Sequence, residues 1–395
     1  MSLTQFMQVG DIALHYRLDG QPLALTGGQT PLVFINSLGS DLRIWDGVVS
    51  HFAATHAIVR YDKRGHGLSD CPPAPYTMED HRDDLAGVLD GLGITKAILI
   101  GISVGGMITM SYALAHPERV SALVMCDTAA KIGEVAMWNE RVGILRKHGM
   151  AHLGNAILSR WFAPAFAETQ PAAYRGYYNM LTRTPVDGYT GTCEALRDAD
   201  MREQVGSITT PSLVICGAED LATTPAMAQE LADALPNSKL DLIDGAAHLP
   251  CIEQPDQMAA VIAQFLSSQS SVTEKFDQGM VVRRAVLGDR HVDRAEKNKT
   301  PFDAGFQRMI TEFAWGMVWS GDTLDRRDRH LLTIGLMAAL GKEHELAMHI
   351  RATQNTGVTS EEVKEVFHQV AVYAGVPAAN RAFAVAKEVY AELED

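Results

Sequence analysis

Cysteine is scarce and is spaced for neither a disulfide framework nor a redox pair. The 395 residues contain five, Cys71, Cys126, Cys193, Cys216 and Cys251, an odd number without a CxxC pair, which predicts reduced thiols. None lies beyond Cys251, so the last third of the chain has no thiol chemistry available. Positive charge is also short: 34 Lys and Arg stand against 48 Asp and Glu, for a formal net charge of −14. A surface built for nucleic acid or for an anionic membrane needs clustered cations, so neither partner is expected. A few arginines inside a pocket can still reverse the local field, and small anionic substrates stay open. Long apolar runs are missing as well. The most apolar stretches, such as Ala97 to Ile102, have strand length and fall far short of a membrane span. The N-terminus lacks a basic region followed by an apolar stretch, so no signal peptide is expected. A cytoplasmic location follows as the expectation.

What is present is length and rhythm. A chain this long exceeds the size at which one core usually stops growing, which predicts two domains. Short β-branched runs alternate with helical patterns through the first two thirds, the signature of an α/β fold with a parallel sheet. The strand candidates are 32–35, 57–61, 97–102, 122–126, 212–216 and 240–243, preceded by an alternating stretch at 11–17 that reads as an antiparallel edge hairpin. Between about 129 and 204 the strand rhythm gives way to helical stretches rich in Trp, Tyr, Met and Arg. A connection of that length reads as a helical lid. A helical pattern over 254–266 closes a first domain of residues 1–267. The polar, serine-rich segment 268–276 reads as a linker. From 277 to 395 only helices are expected, including a capping box at Thr359 and Glu362 and a final helix opened by Pro377.

The strongest chemical signal is Gly101-Ile102-Ser103-Val104-Gly105, directly after an apolar strand and before a helix. A nucleophilic serine on a strained strand-to-helix turn needs small residues on both sides. Its hydroxyl also needs a base within reach and a third group to orient that base. Asp220 follows the strand 212–216, and His248 follows the strand 240–243. Both therefore emerge at the carboxyl edge of the sheet beside Ser103, in the order Ser, Asp, His. Asp127, at the end of the strand after the serine, is a rival for the acid position. The oxyanion of acyl transfer requires pre-placed donors, expected from the backbone N–H groups of Val104 and of Leu38 in the loop Asn36-Ser37-Leu38-Gly39-Ser40.

On these residues, together with Asp62-Lys63-Arg64-Gly65-His66-Gly67-Leu68-Ser69, the segment 1–266 resembles the α/β-hydrolase family. That family's loop of the same pattern shapes the fold beside the site, which leaves Arg64 and His66 outside the catalytic set. Asn36-Ser37 departs from the His-Gly of many members without removing the backbone donor. Within the family, 34–40 and Gly105-Gly106-Met107 are similar to 3-oxoadipate enol-lactone hydrolases. The resemblance implies a small anionic lactone substrate and no cofactor. In the lid, Trp138, Trp161, Tyr174, Tyr177 and Tyr178 could wall such a site, and Arg141, Arg160 and Arg175 could meet a carboxylate.

The C-terminal region carries two polar clusters, Asp325 to His330 and Glu343 to His349. The second is no zinc helix, because His344 and His349 are five apart and Met348 occupies the position one turn away. Glu345 and His349 are four apart and share a helix face. From about 275 to 393 the chain resembles the carboxymuconolactone decarboxylase family, on Arg283 to Asp289, Phe313-Ala314-Trp315-Gly316, Glu345 to Ala352 and Ala371 to Pro377. The resemblance implies a metal-free, cofactor-free decarboxylation with His349 as acid, Glu345 orienting it, Arg326 or Arg327 holding the anion, and a homo-oligomer formed through this domain. The expectation is therefore one chain with two successive activities, with a general carboxylesterase or perhydrolase carrying a non-catalytic helical module, or a lactone-binding receptor, as the competing readings.

Overall fold

Eight strands form one sheet in the computed structural model, which describes residues 5–23, 30–321 and 323–394, with the side chains of 269–274 and 394 outside that description. β1 (Gln5–Val9) and β2 (Ile12–Gly20) pair as the expected antiparallel hairpin, turned at Gly10 with φ 56°. β3 (Leu32–Ile35), β4 (Ala57–Tyr61), β5 (Ala97–Ile102), β6 (Val120–Cys126), β7 (Ser212–Gly217) and β8 (Ser238–Ile243) are mutually parallel. The strand order is β1-β2-β4-β3-β5-β6-β7-β8, and β2 joins the parallel set through an antiparallel pairing with β4. Val33, Val59, Leu99, Val124 and Val214 are all fully buried. Truncating one such side chain, as in Leu99→Ala, costs about 2–5 kcal/mol of stability.

This topology positions chemistry because successive parallel strands end on the same edge. The residues that follow β5, β6, β7 and β8 are Ser103, Asp127, the Asp220 turn and the His248 loop. Above them the lid is helical, with segments Val135–His148, Met150–Trp161, Pro164–Thr169, Pro171–Thr182 and Val186–Asp198.

The chain divides into two compact units between Phe265 and Leu266. The segment 268–276, expected as a linker, is helical backbone inside Pro255–Leu287. The physical reason is composition: no Gly or Pro occurs from Asp256 to Gln278, so nothing local interrupts the helical hydrogen bonds.

The second unit is all-helical. Arg326–Ala339, Glu343–Thr356, Ser360–Tyr373 and Val376–Glu394 pack around Ile334, Leu346, Ile350, Val363 and Phe367. Thr359 and Glu362 form the capping box, and Pro377 stands in the first turn of the last helix. Ala304–Ile310 continues as a π-helical stretch, Thr311–Val318, a rare geometry often found at functional sites. No helix among the described residues is long and apolar enough to cross a membrane.

Candidate active sites

Ser103 has φ 59° and ψ −120°, a conformation that non-glycine residues rarely adopt. The flanking glycines make it possible. A Cβ on Gly101 would collide with the Gly105 carbonyl, and one on Gly105 would collide with the Ile35 carbonyl. Ser103 N–H donates to Cys126 O at 2.9 Å, which pins the turn to β6. Its side chain opens into a cavity lined by Ser37, Leu38, Trp138, Arg141, Trp161, Tyr189, Thr223 and His248. His248 Nδ1 lies 2.8 Å from Asp220 Oδ2. Among the described hydrogen bonds none joins Ser103 Oγ to the ring, although both side chains line the one cavity.

Asp220 is the most fully supported carboxylate of the site. Its Oδ1 accepts from Ala222 N at 2.7 Å and Thr223 N at 3.2 Å, and Thr223 Oγ1 donates to Oδ2 at 2.7 Å. Burial alone would raise its pKa, but the His248 ring and these donors outweigh that and hold the carboxyl below its ordinary range. Asp127, the rival acid, points elsewhere: its Oδ1 accepts from Gly217 N at 2.8 Å, and it makes no bond to His248. Val104 is the first residue of its helix, and neither its N–H nor that of Leu38 donates to a described group. Leu38 and Ser103 line the same cavity, and Val104 directly follows the serine.

The loop that carries Leu38 is held from below by residues outside the expected catalytic set. The ammonium of buried Lys63 donates to Ser37 O at 2.6 Å, and Gly39 N–H donates to His66 Nε2 at 2.9 Å. Burial pulls Lys63 down to about 7, against the pull of Asp62 and Asp41 in the other direction. Arg64 instead forms a two-pronged pair with Asp84, at 2.7 Å on each arm, away from the serine. On the other side, Glu253 accepts from Ala163 N in the lid and Ala247 N beside His248, both at 2.8 Å. Burial raises Glu253 to about 7. Lys63 lies inside the Asp62–Ser69 motif but at a position its pattern leaves open, and Thr223 and Glu253 belong to no motif; each acts through a contact made only on folding.

In the lid, Trp138 and Trp161 reach the cavity, and Tyr189, which the sequence did not single out, joins them. Tyr174 and Tyr177 pack on Phe162, and Tyr178 lies against Gly154, so these three build the lid. Of the three arginines, Arg141 lines the cavity with its guanidinium 4.9 Å from the Trp138 ring centre. Arg160 also lines it but donates to Leu221 O at 2.9 Å, and Arg175 is exposed.

A second constellation lies within the helical unit. His349 is buried, and its Nδ1 faces His330 Nε2 at 3.2 Å. His330 Nδ1 in turn meets Thr356 Oγ1 at 2.6 Å. Trp319 lies parallel to the His349 ring, 6.2 Å away. The expected orienting partner, Glu345, is exposed and makes no bond to His349. Helical spacing permits that contact, but packing of the neighbouring helix delivers His330 instead and leaves the carboxylate its water. Arg326 is exposed, and Arg327 is committed to an ion pair with Glu362. Arg283 is buried: its guanidinium donates to Thr311 Oγ1 at 3.1 Å and Gln307 Oε1 at 3.2 Å and lies 3.8 Å from a Glu296 carboxylate oxygen, while its Nε has no hydrogen-bond partner. Burial lowers both imidazoles to about 4, and the neighbouring His330 and His291 lower His349 further. Both rings are therefore neutral near pH 7.

Comparison with known proteins bears on both units. The alpha/beta hydrolase fold model matches residues 30–148, and the carboxymuconolactone decarboxylase family model matches 304–388. The 3-oxoadipate enol-lactonase 2 of Acinetobacter baylyi is 36% identical over 245 residues, 62% of this chain and 90% of that protein. The N-terminal unit belongs to the α/β-hydrolase family. The 4-carboxymuconolactone decarboxylase of the same organism is 47% identical over 120 residues, 30% of this chain and 90% of that protein. The C-terminal unit belongs to the carboxymuconolactone decarboxylase family. The crystal structure of the enol-lactonase from Burkholderia xenovorans superposes on the hydrolase unit with a TM-score of 0.64 at 36% identity, covering 67% of this chain and all of that one. The chain is thus a fusion of the two families, hydrolase first.

Proposed function

We propose that one polypeptide performs two consecutive steps: its decarboxylase-family unit converts 4-carboxymuconolactone into 3-oxoadipate enol-lactone, and its hydrolase unit opens that lactone to 3-oxoadipate. The observation that carries this reading is the fusion itself. A relative of an enol-lactonase and a relative of a decarboxylase named for the carboxylated lactone share one chain, so the product of one unit is the substrate of the other.

In the hydrolase unit Ser103 Oγ attacks the lactone carbonyl while His248 Nε2 takes its proton. Asp220 keeps the other ring proton on Nδ1 and stabilises the imidazolium. The free N–H groups of Leu38 and Val104 receive the oxyanion. Ring opening releases an enolate oxygen that His248 reprotonates, and water then cleaves the acyl-enzyme by the same route. Arg141, held on Trp138 within the cavity, is the cation best placed for the substrate carboxylate.

In the helical unit the departing carboxylate leaves its electron pair in conjugation with the ring alkene and the lactone carbonyl. No external electron sink is needed. Arg283 supplies the buried positive charge that an anion requires. His349 Nε2 supplies the proton: its neutral ring gains basicity as the dianion arrives, takes a proton from solvent and passes it to carbon. His330 is a positioning residue that fixes the other nitrogen. The homo-oligomer expected through this unit is supported by its surface. Of the 20 large apolar side chains exposed among the described residues, 15 lie in this shorter unit, Phe302, Phe306, Phe313 and Tyr373 among them. A second copy would cover apolar surface that a monomer leaves wet. The unpaired cysteines support a cytoplasmic location.

The test supplies 4-carboxymuconolactone to the Ser103→Ala variant and follows CO₂ release and product identity. The expected result is CO₂ with accumulated enol-lactone. Absence of CO₂ from a protein whose wild type still opens the enol-lactone would reduce the helical unit to a structural module.

A further inference from the structure

Asp127 is fully buried, yet only one of its carboxyl oxygens has a donor: Oδ1 takes Gly217 N–H, and Oδ2 has none. Polar atoms of Asp127, Asp220 and Cys216 all lie within 4.8 Å of one another. No Lys or Arg pairs with either carboxylate among the described residues, and the His248 ring is hydrogen-bonded to Asp220. Two like charges so close in a dry interior cannot both persist, so one carboxyl must hold a proton. The donors decide which. Asp220 accepts from two backbone N–H groups, the Thr223 hydroxyl and the His248 ring, whereas Asp127 accepts from one N–H. A bound cation is a poor alternative, because Cys216 is a buried thiol that donates to Gly217 O and Thr223 O, each at 3.3 Å.

We propose that Asp127 is a protonated carboxylic acid at neutral pH whose hydroxyl donates a hydrogen bond to Asp220, making it a positioning residue of the hydrolase triad. It acts through Asp220: the added donor fixes the carboxylate and spreads its charge, which keeps Asp220 from holding the histidine proton too tightly. The backbone supports this assignment. Asp127 has φ 45°, a left-handed conformation that a short polar side chain tolerates and a longer one resists. The titratable groups facing Asp127 are Asp220, Glu253 and the buried thiols Cys126, Cys216 and Cys251. Burial and the Asp220 and Glu253 charges all act to keep its proton on.

The inference rests on Ser103, His248 and Asp220 acting as a triad, and its first measurement is independent of activity. Infrared spectra of the full chain at neutral pH should contain the carbonyl stretch of a protonated carboxylic acid that disappears in Asp127→Asn and survives in Glu253→Gln. A spectrum unchanged by Asp127→Asn overturns the proposal. Kinetics supply the second arm. Asp127→Asn keeps an N–H donor toward Asp220 and should lose less than about threefold in kcat, whereas Asp127→Ala should lose roughly 10- to 100-fold. In Asp127→Ala the acid limb of kcat/KM should also move to higher pH, as His248 binds its proton more strongly. An alanine variant with wild-type rate and an unmoved limb refutes the role. Survival of hydrolysis in Ser103→Ala would instead refute the triad while leaving the infrared result standing.

Discussion

The two units each bury an imidazole in a candidate site, but by opposite means. The hydrolase unit spends backbone strain and a dense set of hydrogen bonds: Ser103 at positive φ, a four-donor Asp220, and Lys63 and Glu253 clamping the loops on either side. The helical unit uses no strained catalytic residue. It buries two neutral histidines between helix faces beside Trp319 and leaves much of its apolar surface exposed. The difference teaches that a sheet edge gathers a site from successive strand ends, whereas a site between short helices depends on the packing of one helix face against another.

The largest effect that would sharpen this contrast is Ser103→Ala, expected to cost roughly 10⁴-fold or more in enol-lactone hydrolysis while CO₂ release continues. Next comes His349→Gln, which should lower decarboxylation on the order of 10² to 10⁴-fold and leave hydrolysis alone, measured by CO₂ evolution and lactone consumption on the same preparation. Equal losses of both activities would mean that the two sites are not separate.

Lys63→Met should have a smaller effect, roughly tenfold in kcat with little change in KM, because it loosens the Ser37–Leu38 backbone without deleting a donor to the oxyanion. Hydrolysis at the wild-type rate would remove Lys63 from the positioning of that loop.

The smallest effects concern stability against pH, and here Glu253 and the histidine pair should act in opposite directions. Burial raises Glu253 from 4.5 to about 7, so this carboxyl holds its proton in the folded state where the unfolded chain has released it. Its contribution is present below about 4.5 and is lost as pH rises through about 7. His330 and His349, lowered from 6.5 to about 4 by burial, do the reverse: their contribution is present above about 6.5 and is lost as pH falls through 4. Glu253→Gln should flatten the first slope and His349→Gln the second, read from unfolding midpoints across pH 4 to 8. Slopes left unchanged by Glu253→Gln and by His349→Gln would break the comparison.

Much of this was legible before folding. Six strand candidates fall within two residues of β3 to β8, and for β3 to β7 the reason is that a parallel sheet buried on both faces writes itself as continuous apolar runs, whereas β8 is a mostly exposed edge strand. The small residues around Ser103 announced a strained turn, and the order of Ser103, Asp220 and His248 followed from which strands end on one edge. The Thr359–Glu362 box was equally local. The segment 268–276, read as a linker, has helical backbone, because polar composition does not interrupt a helix when no Gly or Pro intervenes.

The sequence alone thus determined whatever depends on neighbours along the chain: element type, capping, the nucleophile turn and the fusion of two families. Only the tertiary structure decided which distant groups meet. It chose His330, 19 residues away, over Glu345, four away, as the partner of His349. It set Lys63 under Ser37 and Glu253 between lid and catalytic loop. It left Asp127 and Asp220 to share a dry corner. Helical spacing states which contacts are possible, but a buried polar group takes the partner that packing brings within reach, because leaving it unpaired costs more than any local preference.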